Sequence, residues 1–439
     1  MVYNIVIGRD EADKKRFGEQ GTIFLGKGYV KMGETTSLSN NIFLDVLRSH
    51  VIMVSGKRGS GKSYSLSVIS EEMSKLPENV KKNLSVLIFD TMGIFWTMKF
   101  PNDRQEKLLE SWGLRPEALD VNIYTPIGFF KQYVDEGIPT DYSFSIKPSE
   151  LSASDWCAVF EVKLTDSIGI LIERIIAQVN EELVDYGIED IIAYIKEDTK
   201  TSNEIKYATE NRFVAAKNWG LFSKDGTSIN DLIKPGETSI IDISCYTNVG
   251  GNWSIKGLVI SIICKKLLNE RISARKLEEV QAIQAETKYF YEEEKQENPL
   301  VWIMIDEAHE FLPKHGSSAA SDTLIQLLRE GRQPGITLVL ATQQPGEIHR
   351  DVLTQSDIVI SHRLTSKLDI EALNSMMQSY LLSDLQTYLN NLPNLRGSAI
   401  ILDDNSERIY PMRVKPKVSW HGGEAPTAIK IRKRLELNF

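Results

Sequence analysis

Residues 56–63 read GKRGSGKS and fit the spacing G-x-x-x-x-G-K-[ST], the pattern of a loop wrapped around nucleotide phosphates. Gly56, Gly59 and Gly61 let the backbone curl so that N–H groups turn inward, with Ser60 inside the curl. Lys62 would reach the β- and γ-phosphates, and Ser63 would set its hydroxyl on Mg²⁺. Tyr64 follows directly and is grouped with the nucleotide-binding residues. A helix starting at Ser63 would aim its positive end at the same anion.

A second group of residues could cut the bound triphosphate. Four apolar residues in WIMIDEAHEF run into Asp306 and Glu307. An acid at such a strand end holds Mg²⁺, and a second acid beside it can take a proton from the attacking water. Asp306 is read as the metal ligand and Glu307 as the general base. Gln343 follows the apolar run ITLVLAT, where an amide could sense the γ-phosphate or fix that water. Arg329 and Arg332, in LLREGRQPG, are candidates to meet transition-state charge, often on a neighbouring subunit. Such a role would require an oligomer. Ser366-Lys367-Leu368-Asp369 approaches a guanine-reading N-K-x-D, but its first residue differs. The expected nucleotide is therefore ATP, with Mg²⁺.

These groups need a scaffold that brings strand ends together. Val51–Val54 precedes the loop as a buried-type strand, and Leu66, Ile69, Met73 and Leu76 follow at helical spacing. Further strands are expected at 85–90, 238–243, 301–306, 336–342 and 358–360. A late pair at 397–402 and 409–414 would turn around Asp403-Asp404-Asn405. Asp90, ending SVLIFD, could help orient Mg²⁺ or simply belong to the turn. Strands alternating with helices imply an α/β fold with a mostly parallel sheet. Residues 1–48 read as a short β element and 49–103 as the first part of the core. Residues 104–235 read as a mainly helical insertion, 236–415 as the second part of the core, and 416–439 as a tail. Residues 254–271 form an amphipathic helical pattern, and the charged stretch 276–298 reads as its solvated extension.

Composition bounds the function. The chain has 439 residues, 42% hydrophobic and 25% charged, with a net charge of −9. That balance argues against nucleic acid coating the whole surface and leaves room for a local basic channel. Cys157, Cys245 and Cys264 are far apart and point to reduced thiols in the cytoplasm. No apolar run is long enough to span a bilayer, so no membrane partner is expected.

In order, GKRGSGKS, VLIFD, LIKPGETSIIDIS, IMIDEAHEFLP, LLREGRQPGITLVLATQQP and SWHGGEAP resemble the HerA-like proteins of the HerA/FtsK superfamily of DNA-pumping ATPases. The resemblance covers residues 20–426. It implies a RecA-like core, a helical insertion, a homo-hexameric ring and double-stranded DNA in its channel. It supports Lys62, Ser63, Asp306, Glu307 and Gln343 as site residues and favours Arg332 over Arg329 as the arginine given to a neighbour. It further implies that the SWHGGEAP tail reaches the adjoining nucleotide site. Two features depart from the family. Only 55 residues precede the phosphate loop, where the family has a longer barrel that docks a nuclease, and Ile94 stands where an acid is common.

Lys314 and His315, in PKHGSSAAS, are candidate contacts to DNA phosphates. The expected function is ATP-driven movement or unwinding of double-stranded DNA, for end processing or defence against invaders with a nuclease or effector. The alternative is an ATP-switched oligomeric scaffold for a partner enzyme.

Overall fold

A computed structural model describes residues 3–32, 35–248, 252–287, 298–376 and 385–423. Its apolar runs are too continuous to leave one face in water, and they assemble into one sheet covered on both sides. The strands are β1 (Ile5–Ile7), β2 (Thr22–Met32), β3 (Thr35–Asp45), β4 (Val51–Ser55), β5 (Leu84–Asp90), β6 (Asn122–Pro126), β7 (Tyr142–Phe144), β8 (Thr238–Asp242), β9 (Leu300–Ile305), β10 (Ile336–Thr342), β11 (Ile358–His362), β12 (Ser398–Asp403) and β13 (Arg408–Val414). Their order across the sheet is β1-β3-β2-β13-β12-β11-β4-β10-β9-β5-β8-β6-β7. From β11 to β7 every pairing is parallel. β12 and β13 then reverse direction as a hairpin and join the sheet to β2.

Side chains alternate between two cores, as a period of two requires. On β4, Val51 and Met53 enter one core, while Ile52 and Val54 enter the other. The second core is closed by the helix Lys62–Ser74, through Leu66, Val68 and Ile69. The first core is closed by helices Ala153–Val159, Ser167–Glu182, Ile188–Glu197 and Asn203–Lys217 and by the long helix Asn252–Thr287. The buried Trp156 centres the inserted helices, with ring centroids 4.9 Å from Phe213 and 5.2 Å from Phe222.

Several elements differ from the sequence reading. The segment 104–235 also supplies β6 and β7, which continue the parallel sheet at its edge. β2 and β3 are 11 residues each and belong to the same sheet through β13. The long helix runs unbroken for 36 residues, and residues 288–297 of the charged stretch lie outside the described residues. Arg271, fully buried on this helix, donates to the carbonyls of Pro334 at 2.8 Å and Asn298 at 2.7 Å. It thereby ties the helix to the chain just ahead of β10 and β9.

At the sheet edge where β4 and β11 begin, an ionic cluster is buried. His50 Nδ1 lies 2.8 Å from Asp357 and Nε2 lies 3.2 Å from Asp45. Arg9 pairs with Asp45, and the Asp357 carboxylate also accepts the Val51 N–H at 2.9 Å. Burial alone would lower the His50 pKa, but its hydrogen bonds to Asp357 and Asp45 outweigh that and raise it to about 9. The folded protein thus holds this proton more tightly than the unfolded chain, whose value is near 6.5. His50 contributes its full stabilisation below about pH 6.5 and loses it as the pH climbs through about 9. The thermal midpoint should fall across that window, reflecting a contribution of up to about 3 kcal/mol. His50→Gln should flatten the decline, and a wild-type profile that is already flat would contradict a charged His50.

Candidate nucleotide site

Strand register builds the site. Ser55 of β4 pairs with Thr342 of β10, and Leu340 of β10 pairs with Ile305 of β9. The three strands therefore end nearly level, and Gly56, Asp306 and Gln343 emerge on one edge. A ligand crevice at the carboxyl ends of parallel strands is the expected consequence. Gly61 has φ 117°, a left-handed value that suits glycine, and a Cβ there would meet the His362 ring at 3.4 Å.

Lys62 is 5% exposed, and its Nζ donates to the loop's own Lys57 carbonyl at 3.5 Å. Burial lowers its pKa, against the opposing charges of Asp306 and Glu307. The Ser63 hydroxyl donates directly to Asp306 across 243 residues of sequence. Burial raises the Asp306 pKa, and the Ser63 hydrogen bond opposes it. A hydroxyl and a carboxylate in contact form a hard-oxygen pair suited to Mg²⁺. Within the site, Ser60 Oγ inside the loop and Glu307 Oε2 beside it are among the buried oxygens that lack a hydrogen-bond partner among the described residues. Orphaned polar atoms of this kind suit a site that takes a polar ligand.

Glu307 adopts φ 53°, ψ 43°, a left-handed conformation unfavourable for a residue with a side chain. Its Oε1 accepts a hydrogen bond from the Gln343 amide. His309 Nδ1 stands 3.6 Å from Glu307 Oε2 and 3.3 Å from Thr342 Oγ1. His309 is therefore part of the acid group's surroundings.

Other expected residues fall elsewhere. Asp90 is fully buried, and its two oxygens accept backbone N–H groups from Gly93 at 2.7 Å, Ile94 at 3.1 Å and Phe95 at 2.7 Å. It closes a turn and is not free to orient a metal. Arg329 pairs with Asp351 at 2.6 Å and Arg332 with Asp357 at 3.4 Å. Both precede β10, whereas Gln343 follows it, so the strand's length of about 20 Å separates them from their own Glu307. Lys314 donates to the Gly346 carbonyl at 3.0 Å, and both it and His315 beside it are exposed. Asp369 of the N-K-x-D-like segment accepts the Gly346 N–H at 3.0 Å, a structural use. Residues 415–419 of the tail pack on the phosphate-loop helix of the same chain, and Glu424–Pro426 lie outside the described residues.

Residues 30–269 match the family model described as helicase HerA, central domain. The chain belongs to this HerA central-domain family. Residues 254–364 also match the AAA family of ATPases associated with various cellular activities, and the chain is a P-loop ATPase by class. It is 24% identical, over 96% of its length and 75% of the relative, to a "Probable helicase" of Methanocaldococcus jannaschii. It is 24% identical to the "DNA double-strand break repair helicase HerA" of Pyrococcus furiosus over 44% of this chain. It is 31% identical to the "Probable DNA double-strand break repair helicase HerA" of M. jannaschii over 23% of this chain. The matched stretches span 37% and 21% of those two HerA proteins. The solved structure of VirB4 of Thermoanaerobacter pseudethanolicus shares the fold, with a TM-score of 0.54 at 12% identity over 90% of this chain and 97% of that one. The core is accordingly RecA-like.

One residue of this ATPase core had no sequence signal. His362 ends β11 and lies under the phosphate loop. Its Nδ1 is 3.1 Å from the Ser398 carbonyl and its Nε2 2.9 Å from Ser65 Oγ. The carbonyl fixes the proton on Nδ1, so Nε2 accepts from Ser65. Burial lowers the His362 pKa to about 4, helped by the nearby Lys62 charge, and keeps the ring neutral. His362→Ala should retain far-ultraviolet circular dichroism yet bind a fluorescent ATP analogue about tenfold more weakly. Equal affinity would mean that the loop keeps its shape without the ring.

Proposed function

We propose that this chain is an ATP-driven translocase of double-stranded DNA that works as a homo-hexameric ring. The observation that carries the reading is the convergence of Lys62, Ser63, Asp306, Glu307 and Gln343 on one sheet edge, with Arg332 on the opposite edge. Lys62 would leave its carbonyl partner for the β- and γ-phosphates. Ser63 and Asp306 would hold Mg²⁺, which supplies positive charge against the phosphate oxygens. Glu307 would take the proton from the attacking water, once Gln343 has turned its amide from the acid to the γ-phosphate or that water. Arg332, half exposed at the far edge, would act on a neighbour's site and not on its own.

The DNA part of the proposal leans on the helicase names of the relatives and on membership of the HerA family. A nuclease or a defence effector is the expected partner, and the cytoplasm the expected location. Among the described residues no helix is long and apolar enough to cross a membrane. A nucleotide-switched scaffold is the second reading, favoured by the engagement of Lys314 with the Gly346 carbonyl.

ATP turnover with and without linear double-stranded DNA separates the two readings, with Glu307→Gln as the blank. A translocase should be stimulated several-fold, and an unstimulated wild-type rate would favour the scaffold. Rings mixed from Arg332→Ala and Lys62→Ala subunits test the arginine. Each variant alone should be inactive, and the mixture should recover part of the activity because the two lesions can fall on different interfaces. A demonstrably mixed ring without recovery would remove Arg332 from that role.

A further inference from the structure

After β13 the chain crosses the phosphate-loop helix Lys62–Ser74 as a strap. Glu71, fully buried on that helix, accepts the N–H groups of Val418 and Ser419 at 3.0 Å each and the Ser419 hydroxyl at 2.5 Å. Lys415 pairs with Glu72 at 2.7 Å. Farther along, the Trp420 N–H donates to the Phe100 carbonyl at 2.7 Å, and its own carbonyl accepts from Thr97 at 3.0 Å. The Lys417 N–H donates to the Tyr64 hydroxyl at 2.5 Å. These bonds bring His421 edge-on against Tyr64, with ring centroids 5.2 Å apart at 73°.

Two side chains here are uncommitted. Lys417 is 1% exposed, yet its ammonium has no hydrogen bond or ion pair among the described residues. Neither ring nitrogen of His421 has a hydrogen-bond partner among them. A buried ammonium without a partner is costly, and burial pushes the Lys417 pKa down to about 8. Burial, then the Lys417 charge, lowers His421 to about 4 and keeps its ring neutral. The pair of rings and the spare donor thus stand together one residue past Ser63.

Direction along the nucleotide follows from the helix. Consecutive residues diverge by about 100° around a helix axis. Ser63 faces Asp306, where the γ-phosphate end would lie, and Tyr64 faces the strap. A nucleotide with its terminal phosphates in the loop must extend its sugar and base away from Glu307.

We propose that Tyr64, Lys417 and His421 form the subsite for the nucleoside end of the bound nucleotide, contributed by the same chain as the phosphate loop. The purine stacks on the paired rings, and Lys417 donates to a ring nitrogen or a ribose hydroxyl. The proposal rests on the nucleotide-site reading above. It gives the strap a role at its own site, where the family resemblance implies a role at the adjoining one.

Competition binding of ATP and of inorganic tripolyphosphate to the full chain tests this. His421→Ala and Lys417→Met should each weaken ATP about tenfold and leave tripolyphosphate unchanged. An equal loss for both ligands would reduce the strap to a brace for the helix and overturn the proposal. No loss for either would overturn it too. Lys62→Ala is the separate control and should weaken both ligands. Tripolyphosphate binding that ignores Lys62 would sink the nucleotide-site reading itself, whatever the strap variants do.

Discussion

The level ending of β4, β10 and β9 is the constraint on which the rest depends. No short-range signal holds Ser63 beside Asp306, since 243 residues separate them. Parallel hydrogen bonding between strands buried on both faces does so. A slip of one residue would send every side chain of a strand into the wrong core. The alternation of Val51 and Met53 with Ile52 and Val54 therefore protects the register of the chemistry as well as the packing.

Within that frame the acid at position 307 is held under tension. Its backbone sits in a region that costs of order 1–3 kcal/mol for residues with side chains. One carboxylate oxygen is tied to Gln343, and the other is buried without a hydrogen bond. The surroundings constrain this arrangement. His309 stands close by, and the loops after β9 and β10 are laced together by backbone bonds, the Lys314 N–H donating to the Glu347 carbonyl at 2.8 Å and the His349 N–H to the Leu312 carbonyl at 2.7 Å. The groups read as base and sensor are thus mounted on one connected piece of backbone.

The parts legible in the sequence were those whose meaning is local. The phosphate loop carries its own glycines and lysine, and each core strand announces itself as an apolar run ending in a polar residue. The late hairpin was legible for the same reason. Long-range relations were not. His362 faces Ser65 from 297 residues away, and only the adjacency of β11 to β4 reveals it. Asp90 was readable either as a metal-orienting acid or as a turn residue, because strand-end carboxylates serve as both. The turn through Gly93, at φ 69°, folds backbone donors onto it. The partners of Lys314 and Arg329, Gly346 and Asp351, lie on the next loop and helix and leave no local signal. β6 and β7 were hidden inside a segment whose helices dominate its pattern.

The long helix has a mechanical meaning. Its last fully buried tether is Arg271, and it continues to Thr287, about 24 Å farther at 1.5 Å per residue. That length is a lever arm and the guanidinium is its fulcrum. The fulcrum bears on the Asn298 and Pro334 carbonyls, at the roots of the two strands whose far ends carry Asp306 and Gln343. A sideways pull on the arm would therefore bear first on the roots of β9 and β10, at the ends remote from Asp306 and Gln343.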